Sequence, residues 1–242
     1  METPFPNLSN CSISIIGLRY VGLPLAVQFA KIKKCLSTNT LLNRSVLGFD
    51  LDKKRIKDLE NNFDKTYEIT EKELSKLEGI IYSSNENSLK EIDIYIITVP
   101  TPIDKNKKPD FSYLISASNI VGNAIKNREK RTLPFIIFES TVYPGATKEI
   151  CIPVIEKVSQ KKINIDFICG YSPERINPGD YKRTISNIKK VTSGSTPEGA
   201  LLIDNLYSSI ISAGTHMASS IEVAEAAKVI ENIQRDLNIA LM

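Results

Sequence analysis

The run Ile15-Ile16-Gly17-Leu18-Arg19-Tyr20-Val21-Gly22-Leu23-Pro24 constrains the fold of this chain more than any other segment. It carries an apolar strand through two glycines into an apolar helix. The first glycine permits a tight bend and the second lets the helix pack closely on the strand. The helix start then presents backbone N–H groups and the positive end of its dipole, a combination suited to a pyrophosphate. About 28 residues beyond Gly22, a second apolar strand ends in Gly48-Phe49-Asp50. An acid at that place can accept hydrogen bonds from both hydroxyls of an adenosine ribose, and it repels a 2′-phosphate, so NAD is favoured over NADP. Either half of the pattern is common alone. Strand, glycine turn, helix, strand and acid in that order are specific.

Apolar, strand-like runs recur at 12–17, 45–50, 92–99, 134–139, 166–170 and 189–193. Helical patterns fall between them, at 23–34, 53–62, 111–126, 146–159 and 197–208, and Thr70-Glu71-Lys72-Glu73 reads as a capping box opening one short helix. Alternation of this kind predicts an α/β chain, a Rossmann-like, doubly wound parallel sheet covered on both faces. The polar stretch from Cys35 to Arg44 lengthens the glycine-to-acid spacing beyond the usual ~20 residues and reads as an insertion. From Ser219 to Met242 no Gly or Pro occurs, and Ile221, Ala224, Val229, Ile233, Leu237 and Leu241 recur at helical spacing. This predicts a long C-terminal α-helix, with no stop signal before the last residue.

Composition narrows the classes. Lys and Arg number 31 against 28 Asp and Glu, too even a balance for nucleic-acid binding. No run approaches the ~20 apolar residues of a membrane span, and residues 1–10 lack a secretion signal. Cys11, Cys35, Cys151 and Cys169 form no CxxC pair and His216 is the single histidine, so no metal site is expected. Reduced thiols of a cytoplasmic protein account for the cysteines.

Several further groups can carry chemistry. Arg19 stands where the glycine turn normally keeps a third glycine; its side chain either crowds a pyrophosphate or pairs with it. Val99-Pro100-Thr101-Pro102 and Glu139-Ser140-Thr141 end strands, at the carboxyl edge where open α/β sheets bind ligands. Ser140 and Thr141 can orient water or a cofactor amide, or simply cap a helix. Glu174 and Arg175 lie in a loop, Ser172 to Gly179, held between two prolines, which is either a polar site or a surface loop with a local ion pair. Glu225, Lys228 and Asn232 share one face of the last helix. An ammonium and an amide so placed can stabilise an oxyanion, though a solvated helix face is the commoner reason for such a trio.

Taken together, these segments resemble the nucleotide-sugar 6-dehydrogenase family. The resemblance extends over nearly the whole chain and rests on Tyr20-Val21-Gly22-Leu23-Pro24-Leu25-Ala26, Gly48-Phe49-Asp50, Val99 to Pro102, Glu139-Ser140-Thr141, Ser172 to Gly179 and Glu222 to Asn232. The wording Arg175-Ile176-Asn177-Pro178-Gly179 points to the UDP-N-acetylhexosamine branch. The resemblance implies two NAD-dependent oxidations of the sugar C6, from alcohol through aldehyde to carboxylate, without metal, for surface polysaccharides. It implies Thr141, Glu174, Lys228 and Asn232 as catalytic residues. Its implied NAD contacts are Gly17, Arg19, Tyr20, Val21, Gly22, Asp50, Arg55, Val99, Pro100, Thr101, Ser140 and Thr141. Residues 1–215 correspond to its NAD-binding domain and 216–242 to the start of its inter-domain helix, part of the homodimer core. The family's UDP-binding second domain, with its catalytic cysteine, has no counterpart here. The expectation is therefore a cofactor-binding half, whose helix exposes apolar surface. The alternatives are a non-catalytic NAD-binding module and a β-hydroxyacid dehydrogenase, the latter disfavoured by the loop from Ser172.

Overall fold

The computed structural model describes residues 4–175 and 185–242; residues Ile176 to Gly179 of the polar loop lie outside them. Six strands form one parallel sheet: β1 (Ser12–Ile16), β2 (Ser45–Phe49), β3 (Ile80–Ser83), β4 (Ile94–Ile97), β5 (Phe135–Phe138) and β6 (Ile168–Tyr171), in the order β3-β2-β1-β4-β5-β6. Ile13 pairs with Val46 on one side and Ile94 on the other. The order reverses between β1 and β4, so the loops leaving these two strands diverge and leave a crevice at their carboxyl ends.

The inner strands are apolar on both faces because both are covered. On one face, Leu23, Ala26 and Phe29 of α1 (Gly22–Lys31) and Ile203, Leu206 and Tyr207 of α6 (Pro197–Ser208) pack against Ile13, Ile15 and Ile96. On the other, Leu114 and Val121 of α4 (Ser112–Lys126) and Ile155 of α5 (Ile152–Ser159) pack against Ile97, Ile136 and Phe138. A turn of π-helix, Thr147–Cys151, leads into α5. The short helices α2 (Lys53–Glu60) and α3 (Glu71–Leu74) follow β2, and Thr70 and Glu73 form the expected reciprocal capping box.

The segment 35–44 closes on itself through Cys35 N–H to the Thr40 carbonyl (2.8 Å) and Leu42 N–H to the Lys33 carbonyl (2.8 Å). Arg44 ties it down, donating to Leu8 O and Ser209 Oγ. The run 189–193, read as another strand of the main sheet, belongs elsewhere. β7 (Lys190–Thr192) pairs in parallel with β8 (Thr215–Met217) in a separate two-stranded sheet. It is stitched to β6 by Tyr171 N–H to the Ser193 carbonyl, Ser195 N–H to the Cys169 carbonyl, the Ser193 hydroxyl to the Tyr171 carbonyl and Cys169 N–H to Ser195 Oγ. This tucks Lys190 behind the carboxyl ends of β5 and β6.

α7 (Ile221–Ala240) starts at Ser220, whose hydroxyl accepts from Val223 N–H. Ile221 and Ala224 join the core, whereas Ile230, Ile233, Leu237 and Ile239 are exposed. Among the described residues no helix is long and apolar enough to cross a membrane.

Candidate functional site

Two cavities meet at the carboxyl edge of the sheet and share Arg19, Val99 and Pro100 in their walls. The larger, of about 480 Å3, runs over Gly17, Asp50, Asp52 and Lys65 and is closed by Tyr113, Ala117 and Ile120 of α4. The smaller, of about 80 Å3, is polar and is lined by Thr98, Thr101, Glu139, Thr141, Glu174 and Lys228, among others.

The floor of the larger cleft follows from the glycine turn. Gly17 adopts φ +94°, a left-handed conformation strained for any side chain. At Gly22 a Cβ would stand 1.9 Å from the Gly17 carbonyl oxygen and 2.4 Å from Thr98 Oγ1, so only glycine lets α1 approach the bend. Thr98 fixes that bend by donating its hydroxyl to Gly17 O at 2.7 Å. α1 begins without a side-chain cap and without an acid in its first turn. Its positive end is thus left open to an anion. Across the cleft, Asp50 Oδ2 accepts from Leu18 N–H (2.8 Å) and Oδ1 from Asp52 N–H (3.0 Å). A carboxylate held this way keeps lone pairs for ribose hydroxyls. The open helix start, the glycine bend and the anchored acid fit the phosphates and ribose of NAD.

Arg55 lines the same cleft but faces inward. Its Nε donates to Leu18 O at 2.8 Å and its Nη2 stands 2.7 Å from Asp64 Oδ1, both side chains being buried. It braces the glycine turn from below. Burial pushes the Asp64 carboxyl up, but Thr66, the backbone amides and Arg55 outweigh it and hold it below the usual carboxylate range. Tyr20 and Arg19 are exposed, and Tyr20 and Val21 line the smaller cavity with Arg19.

The smaller cavity is built from loops that leave β4, β5 and β6 and from α7. Ser140 Oγ donates to Val99 O (2.6 Å) and Thr101 Oγ1 to Thr141 O (2.7 Å), locking the first two loops together. Neither Ser140 nor Thr141 caps a helix. That task falls to Glu225, fully buried, whose carboxylate accepts from Gly145 N–H (2.5 Å) and Thr147 N–H (3.0 Å). Glu225 therefore anchors α7 to the loop after β5 rather than facing the cavity with Lys228. Arg175 makes a second anchor. It does not pair with its neighbour Glu174; its Nε and Nη2 form a forked ion pair with Glu231 of α7, at 3.0 and 3.2 Å. Between the anchors, Lys228 is held 9 % exposed in the cavity wall. Burial lowers its ammonium below the ordinary lysine value, and Glu231 and Glu174 only partly oppose this. Asn232, one turn on, is half-buried and lies outside the cavity lining.

Two residues behind this wall escape a sequence reading. Lys190 Nζ stands 2.8 Å from Glu139 Oε2 and 3.1 Å from Glu174 Oε2, and Tyr207 donates its hydroxyl to Glu139 Oε1. Burial pulls the Lys190 ammonium down, yet the two carboxylates hold it above its ordinary value. Burial dominates at Glu139 and raises its carboxyl despite Lys190. The four cysteines are buried and unpaired, and none lines either cavity.

Comparison with known proteins agrees with this geometry. Residues 11–211 match the model of the UDP-glucose/GDP-mannose dehydrogenase family, NAD binding domain. Over 235 residues the chain is 51% identical to UDP-N-acetyl-D-glucosamine 6-dehydrogenase of Pseudomonas aeruginosa, covering 97% of this chain and 52% of that protein. The protein of the same name from Salmonella typhi is 52% identical over 235 residues, with the same coverage. Among solved structures, UDP-D-ManNAc dehydrogenase from Pyrococcus horikoshii superposes with a TM-score of 0.78 at 27% identity, over 95% of this chain and 52% of that one. The chain spans about half the length of the curated relatives it matches.

Proposed function

This chain belongs to the UDP-glucose/GDP-mannose dehydrogenase family and carries its NAD-binding domain, and we propose that it holds NAD and the proton-handling groups for oxidising the C6 hydroxyl of a UDP-N-acetylhexosamine. The observation that carries the reading is the convergence of Thr141, Glu174 and Lys228 on one small polar cavity that shares a wall with the NAD cleft. The names of the relatives at 51 and 52% identity favour UDP-N-acetyl-D-glucosamine as substrate.

The overall change converts a primary alcohol, one water and two NAD+ into a carboxylate, two NADH and three protons. Bound NAD accepts the hydride in each oxidation. Gly17, Gly22 and the start of α1 hold the pyrophosphate and Asp50 the ribose, while Arg19, Tyr20 and Val21 flank the phosphates. Val99, Pro100 and Thr101 line the cleft as it enters the smaller cavity, with Ser140 fixing Val99 and Arg55 bracing the floor. Lys228, whose charged form desolvation disfavours, takes the hydroxyl proton and, once an ammonium, stabilises the oxyanion. Thr141 orients the reacting oxygen. Glu174 holds the water consumed in the second oxidation and accepts its proton. No cysteine reaches the cavity, so these residues do not by themselves supply a thiol for that step.

The reading extends to a cytoplasmic enzyme that works as a homodimer and makes uronic acids for surface polysaccharides. It is tested by adding UDP-N-acetyl-D-glucosamine and NAD+ to the full-length protein and following NADH absorbance. Two NADH per sugar are expected. Oxidation of a small hydroxy acid with UDP-sugars inert overturns it. NAD binding by residues 1–242 without sugar-dependent NADH supports instead a non-catalytic binding module.

A further inference from the structure

We propose that Lys190 is the positioning residue of the smaller cavity: backed by Glu139 and Tyr207, it fixes the carboxylate of Glu174 towards the cavity and keeps it ionised. The inference rests on the reading of Glu174 as the group that handles water and protons.

Lys190 itself does not line the cavity; it lies behind the wall that Glu139 and Glu174 form. Its Nζ bridges one oxygen of each carboxylate, at 2.8 and 3.1 Å, and lies 5.4 Å from the centre of the Tyr207 ring. Tyr207 holds the other oxygen of Glu139, and Arg175 N–H donates to Oε1 of Glu174 at 2.6 Å. The four side chains come from the ends of β5 and β6, from β7 and from α6, so the arrangement has no local cause such as a turn or a helix cap. Burying a cation and two carboxylates is a poor way to stabilise a fold, because desolvation consumes most of the attraction. An apolar cluster at the same place would stabilise at least as well. What the charged cluster adds is a fixed direction and a fixed charge for Glu174 beside the reacting space.

Among the described residues, charged and titratable groups facing Glu174 include Lys190, Glu139 and Tyr207 at its back, and Lys228 from α7. Glu231 of α7 is occupied by Arg175 and Arg235. Glu139 and Lys190 act on Glu174 in opposite senses, and that makes the inference testable without turnover. Removing the ammonium must raise the titration point of Glu174; neutralising Glu139 leaves Lys190 to Glu174 alone and must lower it.

The experiment is a pH titration of glutamate carboxyl carbons by NMR in the full-length protein, with Glu174→Gln identifying the Glu174 signal. Lys190→Met is expected to raise the Glu174 titration point by at least one pH unit, a tenfold change in proton affinity. Lys190→Arg should recover at least half of that shift, and Glu139→Gln should move it the other way. An unchanged Glu174 in Lys190→Met, or shifts of the same sign in Lys190→Met and Glu139→Gln, overturns the inference, since a purely structural pair has no reason to produce opposite signs. If Lys190→Met does not melt cooperatively, Glu139→Gln decides alone: a lowered titration point sustains the inference and any other result overturns it. Because no substrate is involved, failure here is distinct from failure of the dehydrogenase reading, which shows as absent sugar-dependent NADH.

Discussion

The two cavities share a wall but are made in opposite ways. The NAD cleft takes its floor from residues 16–22 and 48–55, close in sequence, and works through glycines, backbone N–H groups and one carboxylate steered by neighbouring amides. The smaller cavity takes its walls from residues as far apart as Arg19 and Lys228 and gathers charged side chains at least nine-tenths buried, Glu139, Glu174 and Lys228. Phosphate and ribose are recognised by dipoles that a short motif already orients. Proton handling needs shifted pKa values, and at Glu139 and Lys228 the largest cause is burial, supplied by distant parts of the chain folded together.

If this contrast is right, damage to the first region should appear in NAD affinity and damage to the second in turnover. The largest effect is expected at Arg55. Replacing it with Met strands the Asp64 carboxylate and frees Leu18 O beneath the glycine turn. Losing one partner of a buried ion pair costs about 3–5 kcal/mol, read as a lower urea midpoint with weakened NAD binding in the same protein. Gly22→Ala comes next. Its Cβ collides with backbone, which cannot swing away as a side-chain tip can, and α1 must shift. Overpacking costs about 1–3 kcal/mol, and calorimetry should show NAD affinity lost more steeply than stability. Asp50→Asn keeps the side chain's size but turns one acceptor for Leu18 or Asp52 N–H into a donor and removes the charge at the ribose, expected to cost at least about 1.5 kcal/mol or roughly tenfold in Kd. Lys228→Met is the control in the other region, expected to leave NAD affinity intact while sugar-dependent NADH disappears.

Acid should separate the regions by sign. Asp64 titrates below its ordinary value in the folded protein, so its contribution is complete above about pH 4 and is lost as pH falls through the lower folded value. Glu139 is raised, so the folded state takes up its proton first and this group opposes the acid loss just above its ordinary value. Urea midpoints between pH 6 and 3 should therefore fall less in Asp64→Asn than in the parent protein, and more in Glu139→Gln.

The same division explains what could be read from the sequence. The bend at Gly17, the helix after Gly22 and the acid at Asp50 are local, and the structure has them as read. β3 leaves no signal in the sequence because it is a four-residue edge strand, partly exposed along its length, without the continuous apolar run that marks a buried parallel strand. Val191 and its neighbours form a strand outside the main sheet, a placement the sequence does not mark, since a three-residue strand carries no signal of which sheet it joins. Lys228 could be proposed from helical spacing, but Glu225, on the same face, turned out to be a buried anchor. Lys190 and Tyr207 carried no spacing signal at all. The available hint was thermodynamic: Glu139 and Lys190 each adjoin an apolar strand at the same edge of the fold, and charges in such places are buried only if they meet.

Arg19 gives the smallest effect and the sharpest comparison, because it alone belongs to both cavities as a charge. It occupies the place where a side chain can either obstruct the pyrophosphate or bind it. Its backbone already behaves as the turn requires, its carbonyl accepting from Leu23 N–H at 3.1 Å, and its side chain is exposed in the wall that the two cavities share. Obstruction would need the side chain to occupy the bend, so attraction is the expected sign. An exposed guanidinium against a phosphate contributes only about 0.5 kcal/mol. Arg19→Gly should accordingly weaken NAD binding about twofold at low salt. The gap should close as ionic strength rises and the Debye length shrinks below about 10 Å. Tighter binding in Arg19→Gly, independent of salt, would mean that the side chain crowds the cofactor, and the NAD cleft would then depend on packing alone.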